Sequence, residues 1–303
     1  MESYVAFMKH CTICPRNCGV NRYAGEKGFC QAALLPKCAL ASIHHWEEPP
    51  ISGTKGSGTV FFSHCNLGCI FCQNHTISQE DFGKELTIEH LSDIFLSQQK
   101  KNVHNINIVS PTQYLPQIRE ALILSKQKGL RIPVVYNTNG YEKAESLKLL
   151  EGLIDIYLPD FKYISDKYSN TFSLAKDYAE YAKTALLEMK RQVPENVFSS
   201  DGILQKGILI RHLILPGCYQ DSFSVLEWIY KNLGQDTYIS LLNQYTPMYK
   251  AKQVKQLSRK LTTLEYQKVT DYFFQIGLKN GFIQKKSSAT THYTPIFDLS
   301  GLS

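Results

Sequence analysis

The chain has 303 residues, 43% of them hydrophobic and 20% charged, with 33 Lys+Arg against 27 Asp+Glu and a formal net charge of +6. This is enough to bury a core in one or two domains. The mild charge without basic runs argues against nucleic acid as the default partner, and no apolar stretch approaches the ~18 residues of a membrane span. The first ten residues lack the apolar core and small-residue cleavage site of a secretory signal, so the expected compartment is cytoplasmic. There nine cysteines, eight of them before residue 73, read as ligands rather than disulfides.

In chain order, residues 1–58 read as a Cys-rich module and linker, and residues 59–303 as the main unit with a C-terminal extension. Cys11, Cys14, Cys18 and Cys30, spaced by turn glycines, suit a small metal-bound module in which zinc and an iron–sulfur cluster are both compatible with four thiolates. Cys38 is spare or replaces one of the four. Residues 42–58, which include Glu47-Glu48-Pro49-Pro50-Ile51-Ser52-Gly53, form a Pro/Gly-rich connection. Thr59 to Phe62 then reads as a strand.

Its C-terminal end opens into Cys65-Asn66-Leu67-Gly68-Cys69-Ile70-Phe71-Cys72, a C-x3-C-x2-C loop. Three thiolates there can hold three irons of a cubane and leave the fourth open for chemistry. The alternative is a zinc site completed by His64 or His75.

Strands and helices alternate thereafter. Expected strands are 105–109, 133–136, 154–158, 207–215 and 238–242; expected helices are 87–99, 114–128, 143–150, 178–193, 225–233 and 262–278, with a polar loop at 195–206. Six strands each followed by a helix imply a parallel sheet, either a curled partial barrel or a flat doubly wound one. Either form places the active site at the strands' C-terminal ends. Those ends carry Ser110/Thr112, Asn137/Thr138/Asn139, Asp160/Lys162, Arg211/His212 and Gln244/Tyr245.

The C-x3-C-x-aromatic-C spacing, with Phe71 at the aromatic place, resembles the signature of the radical S-adenosylmethionine (SAM) superfamily. The resemblance implies an α/β partial (β/α)6 TIM-like barrel, a [4Fe–4S] cluster on Cys65, Cys69 and Cys72, and SAM chelated to the open iron by its amino and carboxylate groups. Reductive cleavage then yields a 5′-deoxyadenosyl radical that takes hydrogen from a substrate. Arg211 or Lys162 suits the SAM carboxylate, Asp160 a cation or ribose hydroxyl, and Ser110 or Thr112 the amino group. Asn137 and Phe71 complete the expected cofactor set. With no flavin or nicotinamide fingerprint present, catalysis needs an outside one-electron reductant of the flavodoxin or ferredoxin class.

Within the superfamily, Thr138-Asn139-Gly140, Asp160-Phe161-Lys162, Leu215-Pro216-Gly217, the Cys11 to Arg22 stretch and the Glu-Glu-Pro-Pro-Ile-Ser-Gly run are similar to glycyl-radical activating enzymes of the pyruvate formate-lyase type, the PflX-type group most of all. This implies hydrogen abstraction from a protein or peptide. Three departures stand against a glycine substrate: Ser110-Pro111-Thr112 replaces Gly-Gly-Glu, Asn137 replaces Asp, and Gln244 or Tyr245 replaces His. The alternatives are radical chemistry on a small molecule and a non-catalytic zinc or iron–sulfur protein.

Overall fold

The computed structural model describes residues 4–284 and 294–303. Its strands are β1 (Lys37–His44), β2 (Ser57–Phe62), β3 (Lys84–Glu85), β4 (Ile106–Val109), β5 (Val134–Thr138), β6 (Ile156–Pro159), β7 (Val197–Phe198), β8 (Leu204–Leu213), β9 (Tyr238–Leu242) and β10 (Gly281–Ile283). The helices are α1 (Tyr4–Lys9), α2 (Pro49–Ser52), α3 (His75–Gln79), α4 (Ile88–Lys100), α5 (Leu115–Gln127), α6 (Ala144–Leu147), α7 (Asp166–Ser173), α8 (Tyr178–Gln192), α9 (Tyr219–Leu233) and α10 (Thr263–Gln275).

The strands lie in the order β10-β9-β8-β6-β5-β4-β2-β1-β3. From β2 to β10 every neighbouring pair is parallel. Each expected strand sits beside the one before it in the chain, which is how a barrel is wound. A doubly wound sheet would reverse direction at a switch point. The order therefore selects the curled form, and β10 and β3 lie at opposite ends, so the barrel is partial.

The alternation of each strand sorts its side chains. Val60 and Phe62 of β2, Ile106 and Ile108 of β4, and Ile208 and Ile210 of β8 pack in one large core with Leu91, Ile94, Phe95, Leu122, Leu186 and Ile229 of the surrounding helices. Burial of each such side chain contributes about 1.5–3 kcal/mol. Helix starts follow local chemistry: the Thr87 hydroxyl accepts from the His90 amide, and Thr262 and Glu265 form a reciprocal capping box.

Several boundaries differ from the sequence expectation. The stretch 37–44 is not part of a separate front unit. It is a strand, paired antiparallel with β2, so the main sheet crosses the expected boundary at residue 58. The loop 195–206 contains β7, which pairs antiparallel with β8, and β8 begins at Leu204 rather than Gly207. Helix α9 starts at Tyr219, before the expected Val225. Among the described residues no helix is long and apolar enough to cross a membrane.

The connection after β1 is built inward. His44 pairs with Ser57 at the start of β2, so the chain leaves β1 at the N-terminal end of the parallel strands. Ile51 of α2 then packs with Val135, Ile156, Leu158, Leu204 and Leu209 as an apolar floor. The Asn105 amide donates to the Ile51 carbonyl at 2.8 Å and fixes it there.

Candidate active site

Above that floor lies a cavity of about 530 Å³. Cys65, Cys69 and Cys72 all line it, as do Phe71, Ser110, Asn137, Asp160, Lys162 and Arg211. The partial-barrel rule that active sites gather at strand C-termini thus brings nine of the ten residues expected from β4 to β8 and the cysteine loop into one space. Thr112 is the exception and is corrected here. A 3₁₀ turn over Thr112–Tyr114 draws it into the core, where its hydroxyl donates to Glu142 at 2.7 Å.

Each cysteine sulfur of the loop has a donor beside it. Cys65 Sγ accepts from the Leu67 amide at 3.4 Å and from Asn139 Nδ2 at 3.3 Å. Cys69 Sγ lies 3.0 Å from Ser173 Oγ, and Cys72 Sγ lies 3.3 Å from Ser78 Oγ. Such donors stabilise thiolates and tune a metal's potential. Burial pushes the Cys65 thiol up to about 12 and Cys69 to about 11, with Lys162 opposing the rise at Cys69.

The donor set fits a cubane. Among the described residues no three His, Cys, Asp or Glu side chains converge on a point that one metal ion could occupy. Three thiolates lining one cavity suit three irons of a cubane, one sulfur to each. The zinc alternative also lacks its histidine. His64 Nδ1 is 2.7 Å from the Tyr114 hydroxyl and Nε2 is 2.7 Å from Asp81 Oδ1, so both nitrogens are engaged. His75 is 2.9 Å from Glu80 and stacks on Tyr249.

A charged network crosses the cavity. Arg211 donates to Asp160 at 2.9 Å, to Glu47 at 3.2 Å and to Asn137 at 2.6 Å, and Lys162 donates to Asp160 at 2.6 Å. Burial pushes the Asp160 carboxyl up, but Arg211 and Lys162 outweigh it and hold the group below its ordinary value. Ser110 adopts a left-handed φ of 57°, a conformation glycine takes without strain. His212, expected beside Arg211, points the other way; its ring bonds Phe161 O at 2.7 Å and Ser222 Oγ at 2.8 Å within the core.

Asn139 stood in the expected strand-end set, whereas Glu47, Glu48, Ser78 and Ser173 were not expected as site residues; the Glu47–Gly53 run stood out only as part of a family resemblance.

The four front-end cysteines gather away from this cavity. Cys11, Cys14 and Cys30 are buried and Cys18 is exposed. Burial pushes Cys11 and Cys14 up, and neighbouring sulfurs add to it: Cys18 and then Cys30 at Cys11, Cys30 and then Cys11 at Cys14. Arg22, 2% exposed, lies among them and donates to Cys30 Sγ at 3.5 Å and to the Gln113 carbonyl at 2.7 Å, while its Nε has no partner. Cys38 stands apart, fully buried in β1.

A profile of the Radical SAM superfamily matches residues 59–205. An uncharacterized protein of Methanocaldococcus jannaschii, MJ0674, is 30% identical over 275 residues, 87% of this chain and 74% of that protein. A second uncharacterized protein of that organism, MJ0808, is 24% identical over 265 residues, 80% of this chain and 72% of its own length. Among solved structures, Streptococcus suis SuiB bound to precursor peptide SuiA aligns with TM-score 0.48 and 14% identity over 73% of this chain. Native anSMEcpe with bound AdoMet aligns with TM-score 0.47 and 14% identity, also over 73%. This chain spans 47% of the SuiB chain and 61% of the anSMEcpe chain. With its cysteine loop at the mouth of a partial parallel barrel, the chain belongs to the radical SAM superfamily, whose members carry a [4Fe–4S] cluster and SAM.

Proposed function

We propose that this protein is a radical SAM enzyme that abstracts hydrogen from a protein or peptide, with installation of a glycyl radical as the leading form. Cys65, Cys69 and Cys72 hold the cluster. The observation that carries the reading is the convergence of these three cysteines with Asp160, Lys162 and Arg211 on one cavity. When bound, the cluster and SAM supply a primary carbon radical. This chain's residues position those groups and exclude water from them.

Lys162 is the cation that acts on Cys69 and Cys72, opposing the rise that burial imposes on their thiols. It keeps free donors for the SAM carboxylate, because Asp160 uses only one of its three. Arg211, by contrast, is engaged with Asp160, Glu47 and Asn137, and its role is to hold Asp160 ionised. Ser110 lines the cavity and takes the place beside the SAM amino group. Phe71 packs edge-on against Tyr245 and closes the apolar side.

A peptide substrate is supported by β10. Among the described residues this strand pairs only with β9, and its residues line the cavity, so a row of main-chain groups stands at the mouth for an extended peptide. The size of the cavity also suits a small molecule, which is the second reading.

The front-end cysteines form a second metal centre in this reading, zinc or an iron–sulfur cluster. Residues 1–36, ahead of β1, then carry this second centre. Electrons come from an outside reductant of the flavodoxin or ferredoxin class, in a cytoplasmic setting.

The test is anaerobic reconstitution, reduction, and assay for 5′-deoxyadenosine. Formation that disappears in Cys69→Ala supports the reading, and formation that survives in that variant refutes it. An organic radical signal by paramagnetic resonance on a partner protein separates protein from small-molecule chemistry.

A further inference from the structure

The cavity holds more carboxylates than cations. Glu47, Glu48 and Asp160 face Arg211 and Lys162. Arg211 is shared by Asp160 and Glu47, and Lys162 is held by Asp160. Glu47 is fully engaged, its two oxygens accepting from Asn137 and Arg211. Among the described residues Glu48 has no ion-pair partner, and its side chain meets only the like-charged Glu47 carboxyl. It is 7% exposed, lines the cavity, and its Oε2 is buried without a hydrogen bond. Nor does its side chain cap α2, although it occupies the N-cap position.

A buried carboxylate without a cation is unfavourable, and the ordinary remedy is a protein partner. The fold instead fixes Glu48 rigidly in this position. The Glu47 amide donates to Ser52 Oγ at 3.0 Å, Ser52 Oγ donates to the His44 carbonyl at 3.3 Å, and Ile51 is locked into the apolar floor. Burial lifts the Glu48 carboxyl to about 7, against the pull of Arg211. The space above is walled by apolar Leu213, Leu242 and Phe282.

We propose that Glu48 is the anchor of a substrate-recognition subsite that takes an organic ammonium group on an aliphatic stem, such as a lysine-like side chain or an amino terminus. This rests on the reading of the cavity as the substrate cavity. A single orphan oxygen suits a compact ammonium, which donates in any direction; a guanidinium needs a flat edge with two acceptors. The amino group of SAM would be taken by iron in the chelate that family membership implies, which leaves Glu48 to the substrate.

The experiment uses full-length, cluster-loaded protein with SAM, titrated with 1-pentylamine and with 1-pentanol, its neutral counterpart of equal stem, by calorimetry. Wild type should bind the amine about tenfold more tightly than the alcohol, an ion-pair contribution of about 1.4 kcal/mol. In Glu48→Gln the two should bind within about twofold of each other. Equal binding of the probes by wild type overturns the proposal and needs no variant, so a poorly folding variant does not shield it. A preference that persists in Glu48→Gln overturns it as well. A SAM cleavage assay on the same preparation separates the failures: cleavage without an amine preference removes the subsite alone, and an amine preference without cleavage removes the enzymatic function while the cation site stands.

Discussion

Two sets of cysteines occupy this chain, and their surroundings differ more than their spacing does. The trio of residues 65–72 faces a cavity and is served by neutral donors from Asn139, Ser173 and Ser78, with Lys162 as the cation acting on Cys69. The front-end set of Cys11, Cys14, Cys18 and Cys30 is packed against a buried guanidinium, that of Arg22, which donates to a carbonyl and a sulfur. One set lines a cavity, and the other surrounds a fixed charge with three of its four sulfurs buried. An open metal position serves chemistry, and a closed one serves structure or electron storage.

The sharpest way to break the contrast is to remove one ligand from each set. Cys69→Ala should reduce 5′-deoxyadenosine formation to background and lower iron by about four atoms per chain. Cys14→Ala should lower metal content by the second centre and leave the paramagnetic signal of the first. Loss of both signals in either variant would show one shared site and end the distinction.

The next largest effect concerns Arg22. Suppose the front-end sulfurs are metal-bound thiolates: the guanidinium then offsets their charge, and Arg22→Met should destabilise the chain by about 3–5 kcal/mol, as loss of one partner from a buried pair does. Suppose they are neutral thiols: an unpaired buried cation is then removed, and the variant should equal or exceed wild type in stability. Anaerobic thermal denaturation with and without bound metal reads the sign directly.

The trio could be read from the sequence because its ligands lie within eight residues and follow a strand. The six strand–helix units were legible for the same reason, since periods of 2 and 3.6 are local signals. What closed the site was not local. Glu47 and Glu48 read as part of a Pro/Gly-rich connection, and only the antiparallel return of β1 carries them beneath the barrel. That strand went unread because Lys-Cys-Ala-Leu-Ala-Ser-Ile-His has few β-branched or aromatic residues and weak alternation. Thr112 failed because a single 3₁₀ turn decides whether a residue after a strand faces the cavity or the core. His212 was avoidable: it follows Arg211 directly on β8, and neighbours on a strand face opposite sides.

Glu142 acts on Cys14 of the front-end set and on none of the cavity trio, and it offers a pH test of that side of the comparison. It is fully buried and accepts from Thr112, Tyr136 and Thr138 through one oxygen, while the other has no partner. Burial pushes its carboxyl up to about 7. The folded chain therefore binds a proton more tightly than the unfolded one, so this group's contribution is fully present below about pH 4.3 and declines as pH rises to about 7. Relative to wild type, Glu142→Gln should gain about 3 kcal/mol across that window, because the amide does not titrate. Taking the difference between the two proteins cancels other groups that titrate there, including His212, which burial lowers to about 4. A flat difference from pH 4 to 8 in denaturant unfolding would show that Glu142 is already ionised in the fold.

The smallest effect sharpens the account of the open site. Ser173 Oγ lies 3.0 Å from Cys69 Sγ and 3.0 Å from the Tyr163 hydroxyl, so it is wedged between a proposed cluster ligand and a buried phenol. Ser173→Ala removes a hydroxyl without adding volume, and stability should fall by about 1 kcal/mol. The informative readout is the cluster's potential. A hydroxyl donating to a ligating sulfur withdraws charge and stabilises the reduced state, so its removal should make the midpoint more negative. Ser173→Thr keeps the hydroxyl and should restore the midpoint, whereas a purely packing role would be disturbed by the added methyl. An unchanged midpoint in Ser173→Ala, titrated by paramagnetic resonance, would show that the hydroxyl serves Tyr163 alone.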